Sequence, residues 1–381
     1  MSKFFAYLGA STALFQVPFA LCVTYVLRRL WVPHPAPIAV ALASLAVVLL
    51  YGRVREAMFD APRPAWRRLL VTEPYYIHWC ATVASVPLFL SATVTHAAFS
   101  LALGLSLGDV PVFALAAGSY ALGLVLSFWS VVVRRRWVRV RLLDVPVEGL
   151  PAAFDGYRIA QLSDLHLGQH HPRSAGERWA AMVARLDCDL VALTGDYVTS
   201  GTAFHDDIVA VLTLMRGRDG VVAVMGNHDY FGDAEGLIDR LRAGGVLVLR
   251  NQSRLLERGG ACLTLAGVDD TWTRRADVPR TLSGIDPALS LIVLAHDPNL
   301  FPALALGGAN LVLSGHTHWG QIGVPFSSSR YNLSRLMWKR HAGLYRDGKS
   351  VLYVNPGLGT TGPPVRFGVA PEITVVRLVR A

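Results

Sequence analysis

The chain reads as an α/β protein in two parts, a helical membrane bundle followed by a domain of mixed β-sheet and helices. Three observations predict this. Apolar residues make up 52% of 381 positions and charged ones only 17%. The mean hydropathy of +0.39 is too high for an ordinary soluble chain, and the excess lies before residue 142. Beyond residue 156, short β-rich runs alternate with patterns of helical period. Five of those runs end abruptly in Asp, His or Asn, side chains that suit a binding site better than a hydrophobic core.

Apolar runs cover residues 4–27, 37–51, 75–107 and 110–133, giving about four membrane spans, the second borderline in length. The first is preceded by a single basic residue, Lys3, and more apolar runs follow, so it reads as a retained span rather than a cleaved signal peptide. Tyr75, Tyr76 and Trp79, and at other ends Trp129 and Trp137, suit interfacial anchors. Arginines crowd residues 53–68 and 134–141, whereas the connection near Asp109 has no basic residue. The expectation is a multi-pass protein of the cell (inner) membrane with both ends and the second domain in the cytoplasm, although Arg28 and Arg29 fall on the opposite side. Topogenic arginine also accounts for the formal charge of +9, so no nucleic-acid partner is expected. Gln16, His78 and His96 lie inside the runs and no Asp, Glu, Lys or Arg does, which predicts an anchor with hydrogen bonds between helices rather than a transport path. The four cysteines have neither zinc-finger nor disulfide-framework spacing. The expected division is an anchor over 1–141, a linker over 142–155 and a catalytic domain over 156–381.

Within that domain strands are expected at 157–162, 190–193, 221–225, 246–250, 254–257, 261–266, 289–294, 310–313, 351–354 and 373–378. Helices are expected at 177–186, at 206–215 with Ile208, Val211, Leu212 and Met215 on one face, and at 234–242, stopped by Gly244 and Gly245. No helix separates the three strands after residue 246, which implies antiparallel pairing within a mixed sheet.

The strand ends supply Asp164 and His166, then Asp196, then Asn227, His228 and Asp229, then His296, then His316 and His318. Functional groups of α/β sheets gather beyond the carboxyl ends of the strands, so these residues can share one crevice. Alternation along extended backbone would point Asp164 with His166, and His316 with His318, the same way. Carboxylates, imidazoles and an amide without thiolate suit Mn, Fe or Zn. The donors outnumber one tetrahedral site, and two divalent ions sharing a carboxylate account for them.

Asp-x-His, Gly-Asp, Gly-Asn-His-Asp, a lone His and Gly-His-x-His, in that order within 157–378, resemble the calcineurin-like metallophosphoesterases. The resemblance implies a sandwich of two mixed β-sheets flanked by helices. It implies one ion on Asp164, His166, Asp196 and His318, and a second on Asp196, Asn227, His296 and His316. His228 would meet the phosphate beside Asn227 and protonate the leaving oxygen, with Asp229 orienting its ring. The implied reaction is hydrolysis of a phosphodiester or pyrophosphate by metal-bridged hydroxide. Two positions depart from the pattern: Thr199, where many relatives carry Asp, and Trp319, where Gly is common. Asn355-Pro356-Gly357-Leu358-Gly359, with Arg366-Phe367-Gly368, resembles a membrane-associated branch. That branch includes enzymes acting on lipid-linked diphosphates such as UDP-2,3-diacylglucosamine. The expected partners are therefore a phosphoester substrate, lipid-linked by this resemblance, and membrane lipids. The rival reading is a non-catalytic membrane sensor or scaffold that binds phosphate ligands; it predicts loss of ligands or of His228, and all are present.

Three further features carry expectations. Residues 326–345 mix Arg330, Arg335, Lys339 and Arg340 with Tyr331, Leu333, Leu336, Met337 and Trp338, and suit either an anionic bilayer surface or a packed surface helix. Trp272, Arg274 and Arg275 are candidate substrate contacts. Asp187 and Asp189 read as solvated edge residues, His170 and His171 as loop residues rather than ligands, and His205 as a helix start.

Overall fold

The computed structural model describes residues 2–58, 61–104 and 109–381. The chain divides into two compact units, one holding Arg63–Arg134 and the residues up to Met58, the other Arg135–Thr361 and Arg366–Ala381.

Among the described residues, four stretches are long and apolar enough to cross a bilayer: Tyr7–Arg29, Pro35–Glu56, Ala65–Ala102 and Val112–Arg136. The first is two helices, Ser2–Phe15 and Val17–Arg29, which meet at Gln16 where Pro18 opens the second. The run judged borderline in sequence is a full 24-residue helix, Pro35–Met58. Its C-terminal part carries charge inside the helix, with Arg53 paired to Glu56 at 2.7 Å, so the apolar run understated its length. Residues 105–108, including the turn expected at Gly108, lie outside the described residues. His78 bonds the Tyr120 hydroxyl at 2.8 Å and Gln16 Oε1 at 3.2 Å, the bonding between helices that the polar residues implied.

Among the described residues, the second unit holds twelve strands: β1 (Arg139–Val147), β2 (Arg158–Leu162), β3 (Leu190–Leu193), β4 (Val221–Ala223), β5 (Val246–Val248), β6 (Gln252–Arg258), β7 (Ala261–Gly267), β8 (Leu291–Leu294), β9 (Leu311–Ser314), β10 (Gly343–Asp347), β11 (Ser350–Val354) and β12 (Glu372–Arg380). They form two six-stranded mixed sheets, ordered β1-β12-β2-β3-β4-β5 and β10-β11-β9-β8-β7-β6. In the first, β2 to β5 are parallel and β12 is antiparallel to β2; in the second, β7, β8, β9 and β11 are parallel, with antiparallel edges.

Both faces of the central strands are buried, which is why they read as continuous apolar runs. Ile159, Leu190, Val222, Leu265, Ile292, Leu313 and Tyr353 fill the space between the sheets. Alternate residues, among them Ala160, Leu162, Val191 and Leu193, pack outward against Trp179, Val183, Ile208, Val211, Leu237 and Leu241 from the helices Arg173–Leu186, His205–Leu212 and Ala234–Ala243. On the far side of the second sheet, Val293, Val312 and Leu352 pack on Phe301 and Leu304.

Two expectations are corrected. The first six residues of the segment assigned to a linker, 142–155, belong to β1, paired in parallel with β12 from Arg139↔Glu372 to Val147↔Arg380. Its charged and proline positions concealed it; an edge strand tolerates Pro146, and Asp144 bonds Arg377 at 2.8 Å across the pair. Residues 326–345 form no long helix but a loop with one 3₁₀ turn, Leu333–Leu336, leading into β10.

Candidate metal centre

Each expected donor follows a buried strand. Asp164 and His166 follow β2, Asp196 follows β3, Asn227 follows β4, His296 follows β8, and His316 and His318 follow β9. Five of these residues are left-handed: Asp164 at φ 51°, His166 at 43°, Asp196 at 57°, His316 at 70° and His318 at 50°. Non-glycine residues adopt this conformation at a cost and persist there only when their surroundings hold them. The expected extended alternation is therefore wrong for both Asp-x-His and His-x-His. Tight left-handed turns, rather than extended strand, aim these pairs inward. Small neighbours allow the approach: a Cβ on Gly226 would overlap the Asp196 carboxylate, and one on Gly315 would overlap Ser163 Oγ and Asp164 Oδ2.

The donors converge in two groups, Asp164 with His166 and His318, and Asp196 with His296 and His316; within each, one ligand atom per residue lies within 4.8 Å of the others. His166 Nε2 stands 3.1 Å from His318 Nε2, and His316 Nδ1 stands 3.1 Å from His296 Nε2. Asp196 joins the groups through one oxygen. Its Oδ2 is 3.8 Å from His166 Nε2 and 3.2 Å from His296 Nε2, while its Oδ1 accepts the His228 N–H at 2.9 Å. Asp164 Oδ1 lies 3.3 Å from His318 Nε2. Asn227 is buried at the same strand ends, and its Oδ1 has no hydrogen-bond partner.

This set fits a pair of divalent cations. Ring nitrogens facing each other at hydrogen-bond distance, with a carboxylate oxygen between them and an unpartnered buried amide oxygen, are donors in want of a shared acceptor. Backbone carbonyls hold two of the rings: His166 Nδ1 donates to Val198 at 3.0 Å and His296 Nδ1 to Thr194 at 2.7 Å, which turns each Nε2 to the centre. Burial drives the His166 and His316 pKa values down to about 3, leaving neutral imidazoles. Burial, opposed by nearby His296, pushes Asp164 up to about 6. Burial also disfavours charge on Asp196 and His296, yet their mutual attraction prevails: Asp196 is held well below the usual carboxylate range and His296 is raised to about 10. A cation would compete with that proton for the same Nε2.

Asp229 does not orient the His228 ring. Its carboxylate accepts backbone N–H bonds from Asp196 at 2.9 Å, Tyr197 at 2.8 Å, Val198 at 3.1 Å and Gly226 at 2.8 Å, and so shapes the turn that carries Asp196. The His228 ring is held instead by the Thr199 carbonyl, 2.7 Å from Nδ1. A carbonyl only accepts, so Nδ1 carries the proton and Nε2 is left to act. Sequence could not reveal this, since a main-chain oxygen is common to every residue. The side chain at 199, the noted departure, is irrelevant to it.

The Asn355–Gly359 segment is a support. Leu358 N–H bonds the Ser163 carbonyl at 3.0 Å and Gly359 N–H the Asp164 carbonyl at 2.7 Å, while buried Arg366 Nη2 bonds the Pro356 carbonyl at 2.9 Å. Trp319 is buried, its Nε1 donating to the Val354 carbonyl at 2.8 Å, so it fills the core below the ligands rather than forming a rim. The rim belongs to Trp272 and Trp338, whose rings lie 5.6 and 5.7 Å from that of His316. Of the neighbours, Arg275 stacks on Tyr230 at 4.5 Å. His171 is buried on Thr360 at 3.0 Å, and His205 starts a helix. Asp189, expected to be solvated, is buried and bonded to the Arg158 N–H and to Arg258 at 2.8 Å each.

Residues 157–320 match the calcineurin-like phosphoesterase family model. The chain is 33% identical over 234 residues to the uncharacterized metallophosphoesterase YkuE of Bacillus subtilis, covering 60% of this chain and 81% of that one. The chain belongs to this metallophosphoesterase family. An uncharacterized metallophosphoesterase of Aquifex aeolicus is 30% identical over 250 residues, with 64% of this chain and 92% of that one covered. A zebrafish transmembrane protein with metallophosphoesterase domain is 34% identical over 271 residues; the match takes in 68% of this chain and spans 61% of the relative's length.

Proposed function

We propose that this metallophosphoesterase is a two-metal hydrolase of the cell (inner) membrane that cleaves a phosphodiester or pyrophosphate bond on a lipid-linked substrate, such as UDP-2,3-diacylglucosamine, from the cytoplasmic side. The observation that carries the chemistry is Asp196 Oδ2, within 3.8 Å of a histidine from each donor group. Asp164, His166 and His318 would hold one ion and Asn227, His296 and His316 the other, with Asp196 common to both. When bound, a pair of Mn, Fe or Zn ions supplies positive charge to the phosphoryl oxygens and acidifies water, so no Ser or Cys nucleophile is needed.

The chain's own residues do the rest. His228, fixed through Nδ1 by the Thr199 carbonyl, presents Nε2 to the leaving oxygen, where a proton is required as the bond breaks. Asn227, one residue earlier, would also contact the phosphate. Trp272 and Trp338 bound the entrance beside His316 and favour a substrate with an apolar or ring-bearing part. The membrane assignment of the substrate rests on the tether: only Trp137 and Val138 separate the Arg134–Arg136 turn that ends the last candidate span from β1. The cytoplasmic side follows from the arginines at 53–68 and 134–141.

The test is a substrate panel on the full chain in mixed micelles, with metal analysis of the same preparation. Lipid-linked diphosphates should be hydrolysed in preference to soluble diesters, and His228→Asn should lower turnover by about 10²–10⁴-fold while metal content stays. Rapid hydrolysis of soluble diesters with lipid-linked diphosphates untouched would remove the lipid assignment. Bound metal with no turnover on any phosphoester would favour a sensor or scaffold.

A further inference from the structure

The loop between β9 and β10 holds more charge than the metal site uses. A cavity of about 740 Å³ opens there, lined among others by Arg141, Arg330, Arg335, Trp338, Lys339 and Tyr345, and by no carboxylate. Arg330 and Arg335 both lie against the Tyr331 ring, at 5.3 and 5.5 Å, so two guanidinium groups share one aromatic support. Among the described residues, no ion pair involves Arg330, Arg335 or Lys339. Cations held together without a counter-charge favour an anion in the space between them.

The same loop also turns large apolar side chains to solvent. Phe326 is 106% exposed, Leu336 84% and Met337 74%. Phe326 precedes the cations in sequence and Leu336 and Met337 lie among them, between Arg335 and Lys339, and none is needed to cover the domain's own core. Basic groups beside projecting apolar ones are the composition of a surface that meets an anionic bilayer: the charges take headgroup phosphates and the apolar tips enter the acyl boundary. The loop is firmly mounted, because the Thr317 hydroxyl donates to the His341 carbonyl at 2.8 Å and Tyr345 Oη accepts the His341 N–H at 2.9 Å. Thr317 lies between His316 and His318, and Trp338 is common to the cavity lining and to the ring contact with His316.

We propose that residues 326–345 are an anionic-lipid docking surface: the basic cavity binds the phosphate headgroup of a phospholipid while Phe326, Leu336 and Met337 insert beside it. This surface is distinct from the metal ligands and does not depend on what the metal centre hydrolyses. Its consequence for the site is positional, since docking brings the Trp338 side of the entrance to the lipid surface.

The full chain is reconstituted in vesicles of phosphatidylcholine alone and of phosphatidylcholine mixed with phosphatidylglycerol. Leu336→Cys, in a Cys262→Ser background, carries an environment-sensitive fluorophore. Docking predicts a blue-shifted label, protected from aqueous iodide in the anionic vesicles and reversed by salt. The combined Arg330→Ala, Arg335→Ala and Lys339→Ala substitutions should shift the docked-to-free ratio roughly a hundredfold, about fivefold for each cation near an anionic surface. Hydrolysis of a soluble diester should be unchanged in this triple variant, which also reports that it folds. A label equally exposed in both vesicles, or protected to the same degree in the triple variant, would overturn the proposal. So would protection produced by free glycerol phosphate over phosphatidylcholine, because the cavity would then serve a soluble anion.

Discussion

Replacing Asp229 by Asn separates two roles that are otherwise easily confused. The carboxylate is buried and accepts four main-chain N–H groups, two on each oxygen: Tyr197 and Val198 on Oδ1, Asp196 and Gly226 on Oδ2. An amide keeps one acceptor oxygen and turns its NH₂ toward the other pair of donors, so two hydrogen bonds to a charged acceptor are lost whichever way it flips. At about 1.5–3 kcal/mol for each such bond, the loss is roughly 3–6 kcal/mol. For a domain of this size that lowers Tm by about 2–4 °C per kcal/mol, roughly 6–24 °C in all. Because three of the four donors belong to Asp196, Tyr197 and Val198, the turn carrying Asp196 should loosen and metal content should fall in parallel. The assay is thermal unfolding of the full chain in detergent followed by tryptophan fluorescence, with metal analysis of the same sample. Unchanged Tm and full metal content, with turnover alone reduced, would refute this reasoning and return Asp229 to the role of orienting His228.

Asp196→Asn should release both ions, read as metal bound per chain, because the Asp196 Oδ2 lies within 3.8 Å of a histidine ligand from each of the two donor groups. Gly315→Ala forces a Cβ onto Ser163 Oγ and Asp164 Oδ2, so metal at the Asp164 group should be lost although no ligand is replaced; an intact complement would count against the close packing. Thr199→Ala should leave kcat near that of the parent protein, since the group holding His228 is the carbonyl. A pronounced loss there would instead give the hydroxyl a part.

The motifs were legible because each donor side chain sits immediately after a strand buried on both faces. Continuous apolar runs such as residues 190–193 and 291–294 therefore end visibly at the site. Apolar length likewise revealed the four candidate spans. What failed was whatever depends on partners distant in the chain. β1 is a strand because β12 lies beside it, and its arginines and Pro146 disguise it until Glu372 and Arg377 are in place.

Residue types and their order determined which atoms could bind metal, since donor chemistry is local to each side chain. Only the tertiary structure decided how they are aimed. The left-handed turns at Asp164, His166, Asp196, His316 and His318 are costly in isolation, and the Asp229 carboxylate and the Asn355–Gly359 segment that brace two of those turns come from elsewhere in the chain. The hold on His228 was equally beyond reading, because it comes from a main-chain oxygen and side-chain identity says nothing about where a main-chain oxygen will lie.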